Sequence, residues 1–395
     1  MAYLDYSNEH PLDFLPEALV EELLTKNDEV IYRVRSQLKE ISALKYGMRQ
    51  KLGEIGLLRN INDLVLYPNH TTTVGIDGTY NIIKQLSVDT VAIAAVAVEG
   101  LIPPKETGPW SKPQHRIMVL PLSHNNNTAS LCSAIMFSYE LELATKAPHD
   151  VVFLDGSFVT YLIGISQGLY AAKRAEENQE SPIELVEIFN SRLKRMLDDF
   201  LEITSSSGDK IYAGMPKYSS GKSVINYLTK FGFNRSQLNR FNDKGLLSLV
   251  LKTGDVIGPI RLSYTNFRDP PIEILPNELR HYKAKIVETL KDIYTVLLKP
   301  SPLQPALSAE IGGKIALNPE KLPTLLDAIQ EQSIVPGIIE PYPNYIADLF
   351  VKQIHGSFNE LREAALSEIG VLEGIDFQDV YLFMHPYRSE VGYGQ

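Results

Sequence analysis

Two stretches of this sequence end an apolar run on an aspartate that is followed by glycine and a hydroxyl residue, VGIDGTY at Asp77 and VVFLDGSF at Asp155. Asp-Gly is a common turn pair, so either one alone reads as a turn. Two of them on strands that should neighbour each other read differently. A carboxylate at the end of a buried strand is costly unless it is paired or bound to a cation, and two side by side repel. A divalent metal ion relieves both costs. Oxygen-only ligands suit Mg²⁺ or Mn²⁺, which activate water and stabilise charge on a phosphoryl group in transfer. A third acid is expected from an adjacent helix. In SYELELATKA, Glu140 flanks the apolar face of Cys132, Ile135, Met136, Tyr139 and Leu143, whereas Glu142 sits about 200° around the helix from it. Glu140 is the preferred ligand, with solvated helix charges as the alternative for both. Glu99, closing VAVEG, is either an accessory ligand or a turn residue.

Positioning these groups requires a sheet. Between Thr71 and Ser123 three β-rich runs, TTTVGIDGTY, DTVAIAAVAVEG and HRIMVLPLS, are separated by polar or turn-forming residues. A helix is expected from Ser130 to Ala147, closed by Pro148; a fourth strand follows in HDVVFLDGSF, whose apolar run implies burial on both faces. Two helices come next, Val159 to Glu177 and one opened by the capping pattern of Ser181, Pro182 and Glu184. KIYAGMP reads as a fifth strand and SLVLKTGDVIGPIRLSY as a later β pair. This order predicts an α/β fold, a mixed sheet flanked by helices. Residues 270–336 read as a mainly helical insertion beside the sheet, with helices returning from Tyr345 to Leu372. The expected division is 1–62 for an N-terminal helical region, 63–269 for the core, 270–336 for the insertion, and 337–395 for a helical part completing the core.

After Asn27 and Asp28, apolar residues recur at Ile31, Val34, Leu38, Ile41, Met48, Leu52 and Ile55, a three-four alternation broken only by Lys45. That is a long helix with a coiled-coil-like seam. It is either laid on the protein's own body or an arm that docks a second subunit or partner.

With 395 residues and 44% apolar content, the chain can bury a large core in two or three structural units. It has no apolar run of about 18 residues or more, so no membrane span is expected. MAYLDYSNEHPLDF lacks the basic and apolar regions of a secretory signal, and a cytoplasmic location is expected. Cys132, the single cysteine, excludes an internal disulfide framework and any multi-cysteine metal site. A net charge of -10 opposes phosphate binding in bulk, which makes the distribution of charge decisive. From Lys210 to Lys244, the basic residues Lys210, Lys217, Lys222, Lys230, Arg235, Arg240 and Lys244 face the acid Asp243 alone. Tyr212, Tyr218, Tyr227, Phe231, Phe233 and Phe241 are interleaved with them. Such a segment suits backbone tracking and base stacking; the alternative is a helix with solvated charges and buried aromatics. SSGKS has Pro216 where a nucleotide-binding loop requires glycine, so any ATP-driven movement must come from a partner. GIDGTY as the phosphate turn of an actin-like or sugar-kinase fold would need a second glycine-rich phosphate segment, and none stands at the right place.

These residues resemble the NurA nuclease family, prokaryotic enzymes that work beside the HerA hexameric ATPase in DNA end processing or antiviral defence. The resemblance runs from Thr71 to about Ile354 and implies an RNase H-like sheet. Asp77 resembles the family's first aspartate, after strand one, Glu140 its helix glutamate and Asp155 its strand-four aspartate. AGMPKYSS resembles the family's strand followed by a Lys and Ser stretch, which places Lys217 and Ser219 near the site. PYPNYIADLF resembles the late Tyr-Pro motif, with Tyr342 as its tyrosine. That motif carries His or Asp eight residues after the tyrosine; this chain has Phe350 there, and Asp348 supplies the ligand if the helix is shifted. The resemblance thus implies a catalytic group of Asp77, Glu140, Asp155, Lys217 and Tyr342, and metal ligation by Asp77, Glu140, Asp155 and Asp348. Nucleic-acid contacts are expected from Lys217, Ser219, Lys222, Lys230, Arg235 and Arg240. It further implies Mn²⁺ or Mg²⁺, a homodimer enclosing a DNA channel, and a HerA-like ATPase partner. The alternative, raised by Phe350, is a catalytically weak DNA-binding scaffold for such an ATPase.

Overall fold

The computed structural model describes residues 15–65, 70–101, 110, 114–178, 182–206, 208–217, 221–262, 274–369 and 376–385. The long helix α1 (Glu17–Glu54), strand β1 (Leu58–Asn60) and short α2 (Ile61–Leu64) lead to β2 (Thr73–Lys84). β3 (Asp89–Glu99) and β4 (Gln114–Leu122) fold back as an antiparallel meander. Helix α3 (Thr128–Lys146) returns the chain to β5 (Val151–Asp155), and α4 (Phe158–Asn178) and α5 (Ile183–Ser205) lead to β6 (Ile211–Met215). Three short helices, α6 (Ser223–Lys230), α7 (Arg235–Leu238) and α8 (Asp243–Val250), precede β7 (Asp255–Arg261). After α9 (His281–Leu290) come β8 (Ile293–Leu298) and β9 (Leu307–Gly312). Helices α10 (Gly313–Ala316), α11 (Lys321–Gln332), α12 (Tyr342–Ile369) and α13 (Phe377–Phe383) follow.

The strands form one nine-stranded sheet in the order β1-β7-β8-β9-β6-β5-β2-β3-β4. β5 pairs in parallel with both β2 and β6, and the other pairings are antiparallel. Its β4-β3-β2-β5-β6 portion is the mixed sheet expected from the element order, in the RNase H-like arrangement that the family resemblance implied. The continuous apolar run of β5 has the reason expected of it: Val152 and Leu154 enter the cluster with α3, α4 and α5, while Val151 and Phe153 enter the cluster with α11 on the other face. Helix α12 lies over β3, where Ala347 and Val351 pack on Val96 and Val98.

Three expectations change. Ser248, Leu249 and Val250 belong to α8 and not to a strand, because Leu246, Leu247 and Val250 recur at helical spacing and pack on α1. Among the described residues of that stretch, Asp255–Arg261 is the β-structure. Residues 270–336, read as mainly helical, also contribute β8 and β9, which stand inside the sheet between β7 and β6. Short apolar runs such as YTVLL and LSAEIG carry too few residues for a period to separate strand from buried helix. Finally, the α1 seam divides. Ile41, Met48 and Leu52 are buried against Val224, Leu228 and Leu247, whereas Ile31, Val34 and Leu38 are exposed. One half of the helix lies on the body and the other projects as an arm. Among the described residues, no helix is long and apolar enough to cross a membrane.

Candidate metal centre

Strand register brings the two aspartates together. In the parallel pair of β2 and β5, Ile76 lies opposite Leu154, so Asp77 and Asp155 come next and level with each other. β5 ends there, and Gly156 turns the chain away at a φ of +120° that suits glycine. β2 does not end: it continues along β3 to Lys84, with Asp77 opposite Val96. Asp77 therefore stands where the parallel partner stops and not at a strand end, and Asp77-Gly78 is not a turn. Val74, Ile76 and Leu154 point into the cluster beneath α3, so by alternation Asp77 and Asp155 face the other side. Helix α12 starts on that side. Gly75 admits it, since a Cβ there would collide with the backbone of Pro343 and Asn344. The second turn of α12 then delivers Asp348, and oxygens of Asp77, Asp155 and Asp348 all lie within 4.8 Å of one another.

Glu140 arrives from the α3 side through a gap. A Cβ on Gly78 would meet Glu140 Oε1 and Met136 Cγ, so the missing side chain in mid-strand leaves room for the carboxylate. Glu140 is 2% exposed and accepts a hydrogen bond of 2.6 Å from the Tyr161 hydroxyl of α4. Burial, followed by the charge of Asp77, pushes its carboxyl well above the usual range. Glu142 has the opposite environment. Arg116, Lys146 and Arg192 approach it at 2.9, 2.6 and 2.5 Å. Burial works against its charge, but the hydrogen bonds from Lys146, Arg192 and Arg116 hold the carboxyl well below its ordinary value. Glu99 lies three residues further along β3 than the partner of Asp77 and pairs with the buried His149 at 3.1 Å.

Lys217, two residues beyond β6, occupies the middle of the acids. Its Nζ lies 2.9 Å from Asp155 Oδ2, 3.1 Å from Asp348 Oδ1 and 3.4 Å from Glu340 Oε2. Lys352, one turn along α12, holds Asp348 Oδ2 at 2.6 Å. Burial, and then the neighbouring Asp155, push Asp77 up to about 8. Burial likewise raises Asp155 and Glu340. Asp348 is held below its ordinary value, because Lys352 and Lys217 outweigh its burial. Burial disfavours the Lys217 charge, yet Asp155 and its neighbours keep that ammonium above its usual value. Asp77, Glu140, Asp155, Glu340 and Asp348 are thus five acids, met by Lys217 and Lys352 in ion pairs and by the more distant charge of Lys244. A divalent cation with oxygen ligands fits the excess of acid.

The remaining sequence candidates are scattered. Tyr342 is the partly buried first residue of α12. Phe350 packs with Val96, Val98 and Ala347, so Asp348 and not Phe350 reaches the acids; residues two apart on a helix point about 200° apart. Ser219 lies outside the described residues. Lys222 donates to the Asn239 carbonyl at 2.5 Å, Lys230 lies over the Tyr227 ring, and Arg240 pairs with Glu40 of α1 at 3.0 Å. Arg235 is exposed at the start of α7. Lys210 donates to the Thr145 carbonyl, Lys244 to those of Pro216 and Lys217, and Asp243 accepts from Val224 N and Ile225 N. Apart from Lys217 and Lys244, the basic segment is therefore not gathered at the acids. Sequence reasoning missed Glu340, Lys352 and Tyr161. For Glu340 the available signal was an acid just before Pro341 and Tyr342, and for Lys352 its i,i+4 spacing from Asp348.

Sheet order and acid cluster together define a protein of RNase H-like fold with a candidate cation centre between β2, β5 and α12. Among solved structures, the chain is similar to the NurA nuclease from Sulfolobus solfataricus, at 15% identity and a TM-score of 0.58, covering 92% of this chain and 100% of that one. It is also similar to NurA bound to dAMP and manganese, at 12% identity and a TM-score of 0.52, covering 90% and 99%. The NurA fold thus extends over almost the whole chain. The sequence matches no protein-family profile and no curated protein.

Proposed function

We propose that this protein is a metal-dependent deoxyribonuclease of the NurA kind, hydrolysing phosphodiesters with Mn²⁺ or Mg²⁺ held by Asp77, Asp155 and Asp348, with Glu140 completing the set. The observation that carries this reading is the convergence of three aspartate oxygens within 4.8 Å of one another. The fold is that of NurA bound to dAMP and manganese, which supports the choice of cation. When bound, the ion supplies water activation and neutralisation of phosphoryl charge. The chain supplies the rest. Adjacent strands fix Asp77 and Asp155, the Tyr161 hydroxyl orients Glu140, and the Lys217 ammonium meets the phosphate as charge develops. Tyr342 acts from the start of the helix that carries Asp348.

The substrate is DNA, tracked by Lys217, Ser219, Lys222, Lys230, Arg235 and Arg240; the exposure of Lys230 and Arg235 supports this. The protein works as a homodimer, for which the exposed Ile31, Val34 and Leu38 of α1 offer a contact. A HerA-like hexameric ATPase is its partner in DNA end processing or antiphage defence, since SSGKS is not a nucleotide-binding loop. Phe350 was the ground for the scaffold alternative, and the position of Asp348 favours catalysis instead. The test is incubation of the purified protein with linear single- and double-stranded DNA, with Mn²⁺ and with chelator. Cleavage is expected with Mn²⁺ alone, and equal degradation by an Asp77→Ala plus Asp155→Ala variant overturns the assignment.

A further inference from the structure

Asp348 has no idle oxygen: Oδ1 faces Lys217 at 3.1 Å and Oδ2 faces Lys352 at 2.6 Å. Asp155 Oδ2 is likewise taken by Lys217, at 2.9 Å. Any divalent ion that binds these aspartates approaches oxygens at about 2.1 Å and competes with an ammonium already there. We propose that Lys217 is a resident counter-ion of the acid cluster and that Glu340 is its docking residue, receiving the ammonium when a divalent cation takes Asp155 and Asp348. This rests on the metal-site reading above.

Three observations carry it. Glu340 Oε2 is already the third neighbour of Lys217 Nζ, at 3.4 Å, yet Glu340 lies outside the three-aspartate group. A cavity of about 240 Å³ is lined by Lys217 and Glu340 together with Lys244, Pro305 and Ser308, which gives the side chain space beside the acids, with Lys244 tied by its ammonium to backbone carbonyls. The backbone of Lys217 is meanwhile fixed, because Lys244 Nζ donates to the carbonyls of Lys217 at 2.9 Å and Pro216 at 3.2 Å. The rearrangement is thus confined to one flexible side chain. On Glu340 the ammonium would remain within reach of the acid cluster. Glu340 is in these terms a positioning residue that acts through Lys217.

The experiment is a double-mutant cycle read by Mn²⁺ binding, with free Mn²⁺ followed by electron paramagnetic resonance. Lys217→Met is expected to tighten the Kd roughly tenfold and Glu340→Gln to loosen it roughly tenfold; in the Lys217→Met background, Glu340→Gln should shift it less than about threefold. Glu340→Asp, which keeps the charge, should bind closer to wild type than Glu340→Gln does. Metal-free thermal melts establish that each variant is folded, and Lys217→Gln replaces Lys217→Met if the latter is not. Equal loosening by Glu340→Gln in both backgrounds makes Glu340 a ligand or a bare charge and overturns the proposal, as does weaker binding by Lys217→Met. A wild-type protein that takes up no Mn²⁺ defeats the metal site itself, which is a different result from an additive cycle on a protein that binds.

Discussion

Asp77→Asn separates the cost of charge at the centre from the cost of shape. Folding places the Asp77 carboxyl at 8% exposure beside Asp155, and burial and that neighbour push it from 3.8 to about 8. The folded-state value lies above the unfolded one, so the stability it confers is complete below about pH 4 and is lost as pH rises through about 8. A shift of about four units corresponds to about 6 kcal/mol at about 1.4 kcal/mol per unit. Asp155 lies beside Asp77 and carries part of the same repulsion, so a single substitution recovers only about 2–4 kcal/mol of that. Asparagine keeps the shape and an acceptor for the Gly78 N–H, which Asp77 Oδ1 meets at 2.8 Å. Urea unfolding with chelator, at about pH 5, 6.5 and 8, reads the effect. The advantage of the variant should be about 1 kcal/mol at about pH 5 and grow to about 2–4 kcal/mol at about pH 8, because the unfolded carboxyl is already ionised at the lower pH. Saturating Mn²⁺ should restore the wild type at the higher pH and do less for the variant. Parallel pH profiles for the two proteins would refute the claim that the cluster is held together against its own charge.

Glu142→Ala should lower stability by about 3 kcal/mol, because Arg116, Lys146 and Arg192 lose a shared partner, while Mn²⁺ affinity is retained; weakened Mn²⁺ binding in a folded variant would contradict the division between Glu140 and Glu142. Gly75→Ala forces the first turn of α12 away from β2, and roughly tenfold weaker Mn²⁺ binding is expected from displacement of Asp348, with unchanged binding counting against that route. Lys230→Ala and Arg235→Ala should each weaken DNA binding across sequences and reduce the salt slope by about one, measured by fluorescence anisotropy over a salt series.

What was legible in the sequence was local. Asp77 and Asp155 announced themselves because a charge closing an apolar run demands a partner, and helix geometry separated Glu140 from Glu142 before any contact was known. The same logic placed Asp77 at a strand end, since nothing in VGIDGTY says that one partner strand stops while another continues. Asp348 followed only from a family resemblance with the helix shifted, because its direction depends on how α12 crosses at Gly75. Glu340 and the three-way contact of Lys217 join the ends of β5 and β6 to the start of α12, segments far apart in the chain, and no spacing encodes that. The basic run from Lys210 to Lys244 shows the same limit: residue density does not reveal that Arg240 pairs with Glu40 or that Lys210 donates to the Thr145 carbonyl.

The crossing of α12 over β2 also orders events in time. A ribosome completes Asp77, Glu140 and Asp155 long before it reaches Asp348, and nothing earlier in the described chain brings that last aspartate to the group. A nascent chain, surrounded by RNA as it emerges, therefore carries the first acids without the assembled centre. The three-aspartate group closes only once the helix has been released and has found the gap at Gly75, so the group arrives together with the finished fold.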